Sequence, residues 1–487
     1  MVMASSLAIT LENLDEILAQ HLAPDQVARA KTLFLKRLSE AGHRFYRGKM
    51  QTLPKAGIFG FNWFNVWYTP GVSQISTTIR DDQDASYQLS NRGNLVAIVS
   101  DSTRVLGDGD VTPPGGLGVM EGKAFLMKYL GGVDAVALCI DSRGADGRHD
   151  PDKIIDFVRM VQPSFGAVNL EDISQPNCYK VLDTLRESCE IPVWHDDAQG
   201  TACVTLAGLL NALKLVDKAL SEVRIVFLGA GASNTTIARI VIRAGGDPSR
   251  VVMFDSKGAL HRGRTDIQAD PRFYRKWELC EQTNPEGITD FDTAMTGADV
   301  LIAASRPGPD VIPPAAVRVM APKAVVFACA NPVPEIYPHV AHEAGAYIVA
   351  TGRGDFPNQV NNSLGFPAIL KGALLVRARG ISDDMAIAAA RSLAAFAERR
   401  GITPDNIIPR MDEPDVFPRE AADVAMQAIR EGLARVTLSH QQVFERAAAD
   451  IQRARETIDL MVREGLIPTP PQTMLQEALE WAISQVG

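Results

Sequence analysis

Two pairs of acidic residues, each directly after a short apolar run, are the positions with the clearest capacity for chemistry. Glu171 and Asp172 follow FGAVNL, and Asp196 and Asp197 follow IPVWH. An ionised carboxylate at the carboxyl end of a buried strand needs a nearby cation or hydrogen-bond donor. Because Mg²⁺ and Mn²⁺ prefer hard oxygen ligands, we expect three carboxylates from these two strand ends to bind one of these ions. Such a site leaves coordination positions open for a chelating substrate.

The alternative interpretation is that these acids cap helices. Asp172 could cap a helix that begins near Gln175, and Asp197 could cap the long helix through Leu215. One acid alone would fit either interpretation equally well. Two acidic pairs at two strand ends favour the metal site.

A dinucleotide-binding fingerprint follows the second acidic pair. The sequence predicts a strand over residues 223–228, the loop GAGASN, a helix over residues 235–244 and a second strand that ends at Asp255. Two glycines stand where the fingerprint needs a tight turn and a close approach of the pyrophosphate to the helix N-terminus. Asparagine replaces the third glycine, which either loosens the contact between helix and strand or places an amide near the phosphates. The expected cofactor-binding residues are Gly229, Gly231, Ala232, Asn234, Asp255, Ser256 and Lys257.

The sequence around Asp255 leaves the choice between NAD and NADP open. An acid at this distance from the glycines favours a free ribose 2′-hydroxyl, as in NAD. Ser256 and Lys257, with Arg262 and Arg264 close by in sequence, could instead accommodate the 2′-phosphate of NADP. We therefore expect NAD or NADP as the cofactor, and the sequence does not favour either one.

Two further side chains could move protons. We expect Lys123 at the start of the helix after the loop GDGDVTPPGG, where it could act as a base near the carboxylates if its pKa is lowered. The alternative for Lys123 is a solvated surface lysine. Tyr68 precedes the tight turn Pro70-Gly71, which would hold it at a surface as a candidate acid. The aromatic cluster around Tyr68, GIFGFNWFNVWY, is more typical of a core than of a site.

The elements that must position these residues alternate between strands and helices. Strands are predicted over residues 94–100 and 133–140 before the acidic pairs, and over residues 300–304, 325–330 and 347–350 after the fingerprint. We therefore predict an α/β protein in three parts. These are an N-terminal α/β substrate and metal domain over residues 1–198, which begins with helices; a doubly wound Rossmann-type NAD(P) domain over residues 199–379; and a helical C-terminal region over residues 380–487 for packing or oligomerisation.

The composition points to small-molecule chemistry. The chain of 487 residues carries a net charge of −9 and has no long basic stripe, so we expect neither a nucleic acid nor an anionic membrane as a partner. Its six cysteines show no CxxC spacing and are interpreted as reduced thiols. No basic segment followed by an apolar core opens the sequence, and no apolar run reaches the roughly 18 residues of a membrane helix. We expect a cytoplasmic protein.

Taken in order, eight motifs resemble the malic enzyme family in its shorter, bacterial-type form. They are YTPGV, SDSTRVLG, VMEGKA, NLEDI, HDDAQGTA, GAGA, ANPVPEIYP and ATGRGDFPNQVNN, and the resemblance runs from about residue 48 to residue 379. It implies oxidative decarboxylation of malate to pyruvate and CO₂ with NAD or NADP and with Mg²⁺ or Mn²⁺. It also implies a homodimer or a larger homo-oligomer.

The same resemblance implies a role for each matching residue. Glu171, Asp172 and Asp197 are the implied metal ligands. Lys123 is the implied general base, with Asp196 as its supporting acid, and Tyr68 is the implied general acid. Arg104 and Asn331, with Asn361 or Asn362, are implied to hold the substrate carboxylates.

Some positions depart from the family pattern. The loop after Arg104 has Asp108 where relatives tend to carry an apolar residue and Thr112 where they tend to carry glycine. An acid that points into a dicarboxylate site would repel malate, so another 2-hydroxy diacid stays open as the substrate. The run RGADGRH around Gly144 resembles a small insertion, and the C-terminal tail is longer than expected. Two other functions stay open: a malolactic-type or oxaloacetate-decarboxylating enzyme without net redox change, and a non-catalytic nucleotide-binding protein.

Overall fold

The computed structural model describes residues 8–105 and 107–486, which divide into two compact units. One unit comprises the N-terminal segment up to Pro54 together with the C-terminal segment from Arg455. The other unit comprises Lys55–Ala454. Both sheets and all the predicted site residues lie in this second unit.

The secondary structure alternates between strands and helices through most of the second unit, as predicted. The strands are β1 (Leu95–Ser100), β2 (Asp134–Cys139), β3 (Ala167–Leu170), β4 (Val193–His195), β5 (Ile225–Leu228), β6 (Val251–Asp255), β7 (Gly258–Ala259), β8 (Val300–Ala303), β9 (Val325–Ala328) and β10 (Ile348–Thr351). The helices are α1 (Leu14–Ala19), α2 (Pro24–Tyr46), α3 (Trp63–Trp67), α4 (Val72–Asp81), α5 (Ser86–Leu89), α6 (Thr112–Gly131), α7 (Pro151–Val161), α8 (Asn177–Ser188), α9 (Thr201–Val216), α10 (Ala232–Arg243), α11 (Thr265–Gln268), α12 (Tyr274–Gln282), α13 (Phe291–Met295), α14 (Pro314–Arg318), α15 (Pro338–Glu343), α16 (Phe366–Leu375), α17 (Asp383–Arg400), α18 (Val416–Arg430), α19 (His440–Arg463) and α20 (Gln472–Ser484).

The first sheet has the strand order β2-β1-β3-β4, and all its strands are parallel. Strand β3 is buried along its whole length, as expected of a parallel strand covered on both faces. Leu170 at the end of β3 lies opposite Val99 of β1 and His195 of β4. The register therefore brings the carboxyl ends of β1, β3 and β4 to one edge, and both acidic pairs follow directly from that edge.

The second sheet has the order β10-β9-β8-β5-β6-β7, in which only the short β7 runs antiparallel. Strand β6 lies on one side of β5, and β8, β9 and β10 lie on the other. The strand order therefore reverses between β5 and β8. Doubly wound sheets bind ligands outside the carboxyl ends of the strands at such a point. The predicted doubly wound Rossmann-type sheet is confirmed.

The helices beyond residue 380 continue the packing of the second unit. Helix α17 packs on α9, and α18 packs on α16 and α17. A Cβ on Gly372 of α16 would lie 2.4 Å from the carbonyl oxygen of Ala421, so the backbones of α16 and α18 approach each other closely. Glycine is the residue that permits this contact.

The first unit is helical and has a small core of its own. Helices α1 and α2 pack with α20 through Leu14, Leu18, Phe34, Ala478 and Leu479. Leu14, Ile17 and Leu18 recur at helical spacing along α1, and all three are buried. Both ends of the chain thus contribute to one helical cluster.

One helical stretch among the described residues is long and apolar enough to cross a membrane. It is Asp196–Val216, which consists of α9 and the turn before it. Since 78% of its apolar window is buried inside the fold, it has the properties of a core helix.

Candidate active site

Carboxylates from both acidic pairs meet where β3 and β4 end. One oxygen atom each from Glu171, Asp172 and Asp197 lies within 4.8 Å of the others. Glu171 and Asp172 are buried, whereas Asp197 is partly exposed. The backbone N–H of Asp172 donates to Oδ2 of Asp197 over 2.7 Å. A cluster of hard oxygen donors of this size fits Mg²⁺ or Mn²⁺, and its open side at Asp197 fits a substrate that completes the coordination.

Lys123 lies beside the acidic cluster. Its Nζ is 2.5 Å from Oδ2 of Asp196 and 2.9 Å from Oε1 of Glu171. The side chain is 12% exposed, so the alternative of a solvated surface lysine is wrong. The prediction that Lys123 opens a helix is also wrong. Helix α6 already begins at Thr112, because the proline pair after it occupies the first turn, and Lys123 lies near the middle.

The burial of these groups shifts their pKa values. Burial raises the pKa of Glu171 well above its ordinary value, and the negative charge of Asp197 adds to the effect. Burial also raises the pKa of Asp196, although Lys123 opposes it. For Lys123, burial alone would lower the pKa, but the carboxylates of Asp196 and Glu171 outweigh burial and raise it. The centre therefore carries more negative charge than one ammonium balances, which fits a divalent cation.

Neither Asp172 nor Asp197 caps a helix among the described residues, so the alternative interpretation of the two acids is wrong. Helix α8 begins at Asn177 with Pro176 at its N-cap, so Asp172 does not cap it. Asp172 instead has a left-handed backbone with φ of 52°, which costs a non-glycine residue about 1–2 kcal/mol. Asp197 lies inside a turn of π-helix, Asp196–Gly200, that precedes α9. Such wide turns are frequent at functional sites.

Two side chains hold Asp196, and Gly200 leaves room for its carboxylate. Besides Lys123, the indole Nε1 of Trp194 donates to its Oδ1 over 3.2 Å. A Cβ on Gly200 would lie 2.0 Å from the same oxygen, so a larger residue there would displace the carboxylate. Asn169, which the sequence analysis missed, donates from Nδ2 to Oε2 of Glu171 over 2.8 Å. A polar residue two positions before an acid on an apolar strand shares its face, and this spacing could have identified Asn169.

Two of the predicted substrate-binding residues border this centre. The backbone N–H of Arg104 donates to the carbonyl oxygen of Asp172 over 3.0 Å. The guanidinium of Arg104 is exposed and forms no hydrogen bond or ion pair with another described residue. Asn362 lies next to Gly200, in the turn that holds Asp196 and Asp197: its Cβ would be 3.2 Å from a Cβ added at Gly200. Asn361 instead accepts the N–H of Ser363 and caps the following turn. Of the two asparagines, the geometry favours Asn362.

Asn331 lies on a loop that a buried acid fixes in place. Glu335 accepts the backbone N–H groups of Ser305 and Ala330 over 2.7 and 2.9 Å. Its burial raises the pKa of the carboxyl group, although these bonds oppose the shift. The carbonyl oxygen of Asn331 is 3.2 Å from where a Cβ on Gly107 would lie, so this loop meets the one that follows Arg104. Sequence analysis missed Glu335, although it is the one acid in ANPVPEIYP.

No described contact brings Tyr68 to the acidic centre of its own chain. Tyr68 is 74% exposed, and its hydroxyl forms no hydrogen bond with a described residue. The hydrogen bonds of its segment are local, such as the bond from Nε1 of Trp67 to the carbonyl of Gly57 over 3.0 Å. The prediction that the surrounding aromatic cluster forms a core is wrong. The exposed apolar residues, here called the aromatic face, are Phe59, Phe61, Phe64, Val66, Trp67 and Val72.

The loop between β5 and α10 has the shape of a nucleotide site. Gly229 has φ of 97°, and a Cβ on it would lie 2.5 Å from the carbonyl oxygen of Ala304. Gly231 faces open space and permits a ligand to approach the backbone, and Ala232 begins α10. Both features agree with the predicted phosphate-binding turn.

Asn234 has a different role from the two that were predicted. Its Nδ2 donates to the carbonyl oxygens of Leu228 and Gly229, each over 2.9 Å, and its side chain is fully buried. The amide therefore fastens α10 to the loop, so the predicted loosening is wrong. The neighbouring Ser233 donates from Oγ to the carbonyl oxygen of Asp197 over 2.9 Å. The nucleotide loop and the acidic centre are thus directly bonded.

The acid at the end of β6 is already engaged by cations. Arg264 donates to both oxygens of Asp255 over 3.0 and 2.9 Å, and Nζ of Lys276 lies 3.8 Å away. Burial would raise the pKa of Asp255, but hydrogen bonds from Arg264 and from the backbone of Lys257 lower it. The side chain of Lys257 is 69% exposed, and Ser256 is exposed beside it.

The insertion and the altered loop after Arg104 are joined through His149. The ring of His149 contacts Oγ of Ser142 through Nδ1 over 2.8 Å and Oδ2 of Asp110 through Nε2 over 3.1 Å. Asp110 also accepts the N–H of Thr112 at the start of α6 over 2.9 Å. Asp108 is exposed. Sequence analysis missed Asp110 because its partner is 39 residues away in the chain.

Breaking the contact between His149 and Asp110 is expected to weaken substrate binding. Without it, the loop that carries Arg104 loses a fixed point, and positioning by such loops contributes to substrate binding. We expect His149→Ala to raise the KM for the substrate about 3- to 10-fold with little change in kcat, since a typical hydrogen bond contributes a net of about 0.5–1.5 kcal/mol. Steady-state kinetics of His149→Ala, Asp110→Ala and the double variant test this, with Arg148→Ala as the control. Strictly additive effects of the two single variants would show that the contact has no such role.

Comparison with known proteins places these features in one family. Residues 48–186 match the family model "Malic enzyme, N-terminal domain", and residues 198–430 match "Malic enzyme, NAD binding domain". A crystal structure of Entamoeba histolytica malic enzyme superposes with a TM-score of 0.96 at 64% identity and covers 98% of each chain.

Two curated relatives agree with this match. A bifunctional malic/malolactic enzyme of Bacillus subtilis is 40% identical over 405 residues, which are 83% of this chain and 95% of the relative. An NADP-dependent malic enzyme of Halomonas elongata is 39% identical over 383 residues, which are 76% of this chain and 87% of the relative.

Proposed function

Because this chain belongs to the malic enzyme family, we propose that the acidic centre where β3 and β4 end is the place where it oxidises and decarboxylates malate. The family reaction converts malate to pyruvate and CO₂ and reduces NAD or NADP, so the chain is a decarboxylating oxidoreductase. The observation that carries the assignment is the group of three carboxylates within 4.8 Å, with the Lys123 amine 2.9 Å from one of them.

We assign the metal to Glu171, Asp172 and Asp197. A divalent ion held there would supply a Lewis acid that lowers the pKa of the malate hydroxyl, and a bound nicotinamide would supply the hydride acceptor. The exposed guanidinium of Arg104 then binds a substrate carboxylate in the bidentate manner that a lysine cannot match. Asn362, and Asn331 from the neighbouring loop, hold the remaining polar atoms of malate.

Lys123 takes the proton from the C2 hydroxyl in this proposal. A base must be neutral, whereas the carboxylates of Asp196 and Glu171 raise the pKa of Lys123 in this structure. Positive charge at the three ligands opposes the ammonium form and favours the neutral amine. Asp196, fixed by Trp194, keeps the amine in place and helps it pass its proton on. Tyr68 provides the proton that C3 receives after CO₂ has left.

The first experiment measures absorbance at 340 nm with purified protein, Mn²⁺ and L-malate, in parallel with NAD and with NADP. A malate-dependent rise that needs the metal supports the proposal. The name of the Bacillus subtilis relative gives a second candidate, the conversion of malate to lactate without net redox change. Lactate and pyruvate are therefore assayed in the same samples. CO₂ release without a rise in absorbance or in pyruvate would replace the oxidative proposal with the malolactic one.

The same assay tests cofactor preference, and we propose NADP. The charge of Asp255 is balanced by Arg264 and Lys276, and the exposed amine of Lys257, which lies 3.2 Å from Oδ2 of Asp266, stands at the end of β6. A phosphate on the ribose is therefore better matched than a bare hydroxyl. We expect Lys257→Ala to lower kcat/KM for NADP about tenfold while kcat/KM for NAD changes less than twofold, the worth of one charged hydrogen bond. Lys323→Ala is the control, and an equal loss with both cofactors would contradict the assignment.

We also propose that the enzyme is a homodimer in which Tyr68 serves the acidic centre of the second copy. Tyr68 is exposed beside Trp67 of the aromatic face, and a surface of exposed aromatic residues marks an interaction site. A second copy is the partner that needs a tyrosine at this position, because its own Tyr68 is equally exposed. Docking of the aromatic face on the second copy would bury its apolar side chains and at the same time bring the Tyr68 hydroxyl to the acidic centre of that copy.

Mixing two inactive variants tests this arrangement. Tyr68→Phe and Lys123→Ala are each expected to lose more than about 99% of malate oxidation. Mixed and allowed to exchange subunits, they form heterodimers with one centre that has both residues, so up to about a quarter of the wild-type activity should return. Phe61→Asp, on the aromatic face, should give monomers in sedimentation velocity and prevent this recovery. Full activity in a Phe61→Asp monomer would contradict the proposal.

We place the enzyme in the cytoplasm and propose a domain boundary near residue 198. All six cysteines are free thiols in the structure, which supports a reducing compartment. The two family models leave a short gap between residues 186 and 198, which supports the boundary. Limited proteolysis near this gap tests the boundary, and fractionation of source cells tests the location.

A further inference from the structure

A cleft with a volume of about 350 Å³ lies between α10, α17 and α18. Its volume is within the range of small-molecule sites, roughly 300–1,000 Å³. It is lined by side chains that have no part in the proposed reaction. The charged and polar ones are Arg243, Asp384, Arg391, Asp423, Gln427 and Arg430.

The charges in this cleft are not balanced. Arg243 is paired with Asp384 through two hydrogen bonds of 2.7 and 2.6 Å. Asp423 lies 3.1 Å from Nε2 of His440, outside the cleft, and the two form an ion pair only when the histidine is protonated. Arg391 and Arg430 have no carboxylate within ion-pair distance among the described residues. Three guanidinium groups and two carboxylates therefore leave a formal charge of +1 in the cleft, and two of the guanidinium groups have no salt bridge to a described residue.

The two unpaired groups are placed to act together. Arg391 is exposed on α17, and its charge contributes to the low pKa of Asp384, after the larger effect of the Arg243 hydrogen bond. Arg430, on α18, donates from Nε and Nη2 to Oε1 of Gln427 over 3.1 and 2.5 Å. A neutral amide orients the guanidinium without neutralising it. The cleft thus presents guanidinium groups from two helices, one of them oriented by a neutral amide, which suits an oxyanion.

The cleft is also linked to the acidic centre. Asp384 forms one wall, and its neighbour Asp383 faces the other way, where Arg186 and Gln199 donate to its Oδ1 over 3.2 and 3.4 Å. Gln199 in turn accepts the N–H of His195 over 3.1 Å. The first turn of α17 is therefore shared between the cleft and the segment that carries Asp197.

From these observations we propose that the cleft is a regulatory site for a small dianion, either a dicarboxylate or a phosphate group, whose binding alters the affinity of the active site for malate. The dianion bridges Arg391 and Arg430, and Arg243 is the third cation within reach. By neutralising the repulsion between the two helices, it fixes α17 and with it the support of Asp197. Coupling of this kind typically changes affinity by about 5- to 150-fold.

Calorimetric titration of the full chain with inorganic phosphate and, separately, with succinate tests the proposal. The titrations use the Arg104→Ala background, so that succinate does not bind at the active site. We expect one site per chain, with a Kd that is at least tenfold weaker when Arg391→Ala and Arg430→Ala are combined. Arg446→Ala, which removes an exposed arginine of α19 outside the cleft, should leave the Kd unchanged. Binding of phosphate alone identifies the ligand as a phosphate group, binding of succinate alone as a dicarboxylate, and binding of both as a dianion of either kind.

Two results would overturn the proposal. One is the lack of binding of either probe, and the other is binding that the double arginine variant leaves unchanged. In the chain with Arg104 intact, a saturating probe should change the KM for malate at least fivefold more than it does in the variant that combines Arg391→Ala and Arg430→Ala. An equal change of KM in both would remove the regulatory role. Because binding is measured without turnover, these results are independent of whether the chain oxidises malate. Thermal unfolding of each variant, followed by circular dichroism, confirms that it is folded before titration.

Discussion

Replacing Asp197 with asparagine is expected to abolish metal-dependent malate oxidation. The asparagine side chain has nearly the same size and could still accept the N–H of Asp172, which now bonds Oδ2 over 2.7 Å. The replacement removes one of three charges that hold the ion. Because a bound metal contributes several kcal/mol to the stabilisation of developing charge, we expect kcat/KM to fall about 10³-fold or more. Steady-state assays over a range of Mn²⁺ concentrations measure this loss.

Measurements of metal binding distinguish a loss of the metal from a loss of the folded structure in Asp197→Asn. Free Mn²⁺, measured by electron paramagnetic resonance, reports metal binding directly and should show a weaker Kd in Asp197→Asn. Chelation of the metal in the wild-type protein should reproduce the loss of activity, and added Mn²⁺ should reverse it. Asp412→Asn, an exposed acid paired with Arg410, serves as the control. If Asp197→Asn bound Mn²⁺ and turned over like the wild type, the metal would have to lie elsewhere.

Replacing Lys123 with alanine is expected to give the second large effect, a fall in kcat of about 10²- to 10⁴-fold, which is the usual worth of a positioned general base. The amine lies 2.9 Å from Glu171, at the edge of the three carboxylates. Its removal takes away the proton acceptor while leaving the cofactor loop in place. Nucleotide binding, measured by fluorescence quenching, should therefore change less than twofold.

A structural role of Lys123 would give a different pattern. Lys123→Ala leaves Asp196 and Glu171 buried without their counter-ion, which costs stability on its own. Added methylamine separates the two effects, since a small free amine can replace a missing base but cannot restore packing. Partial recovery of turnover in Lys123→Ala, rising with methylamine concentration and pH, is the expected result. Folded protein that binds malate and nucleotide yet gains nothing from any amine would point to a positioning role.

The acidic centre was predictable because its placement depends on short-range rules. Two strands that run in parallel end at the same edge of a sheet, so residues directly after them meet. The sequence shows both strand ends, and Glu171 and Asp197 follow them. The fingerprint with Gly229 and Gly231 was predictable for the same reason. Its loop, its helix and its strands are consecutive in sequence.

Features that depend on distant partners were not predictable. Lys123 was expected at a helix start because nothing local shows that α6 begins at Thr112 and runs through it. The salt bridge of Asp255 depends on how the chain returns to place Arg264 beside it, which no periodicity encodes. Hydrophobicity alone also could not distinguish a buried aromatic cluster from the exposed aromatic face. Phe59 and Phe61 are 75% and 84% exposed.

The helical cluster of α1, α2 and α20 has a consequence for synthesis on the ribosome. The 400 residues of the second unit separate its two halves in the chain, since that unit spans Lys55–Ala454. At roughly 5–20 residues per second, the apolar faces of α1 and α2 wait about 20–80 s for α20 to be translated. During that interval, Leu14, Leu18 and Phe34 lack the partner surface that later covers them. A nascent chain that stalls before α20 therefore keeps apolar surface exposed on α1 and α2, and chaperones and proteases bind such segments.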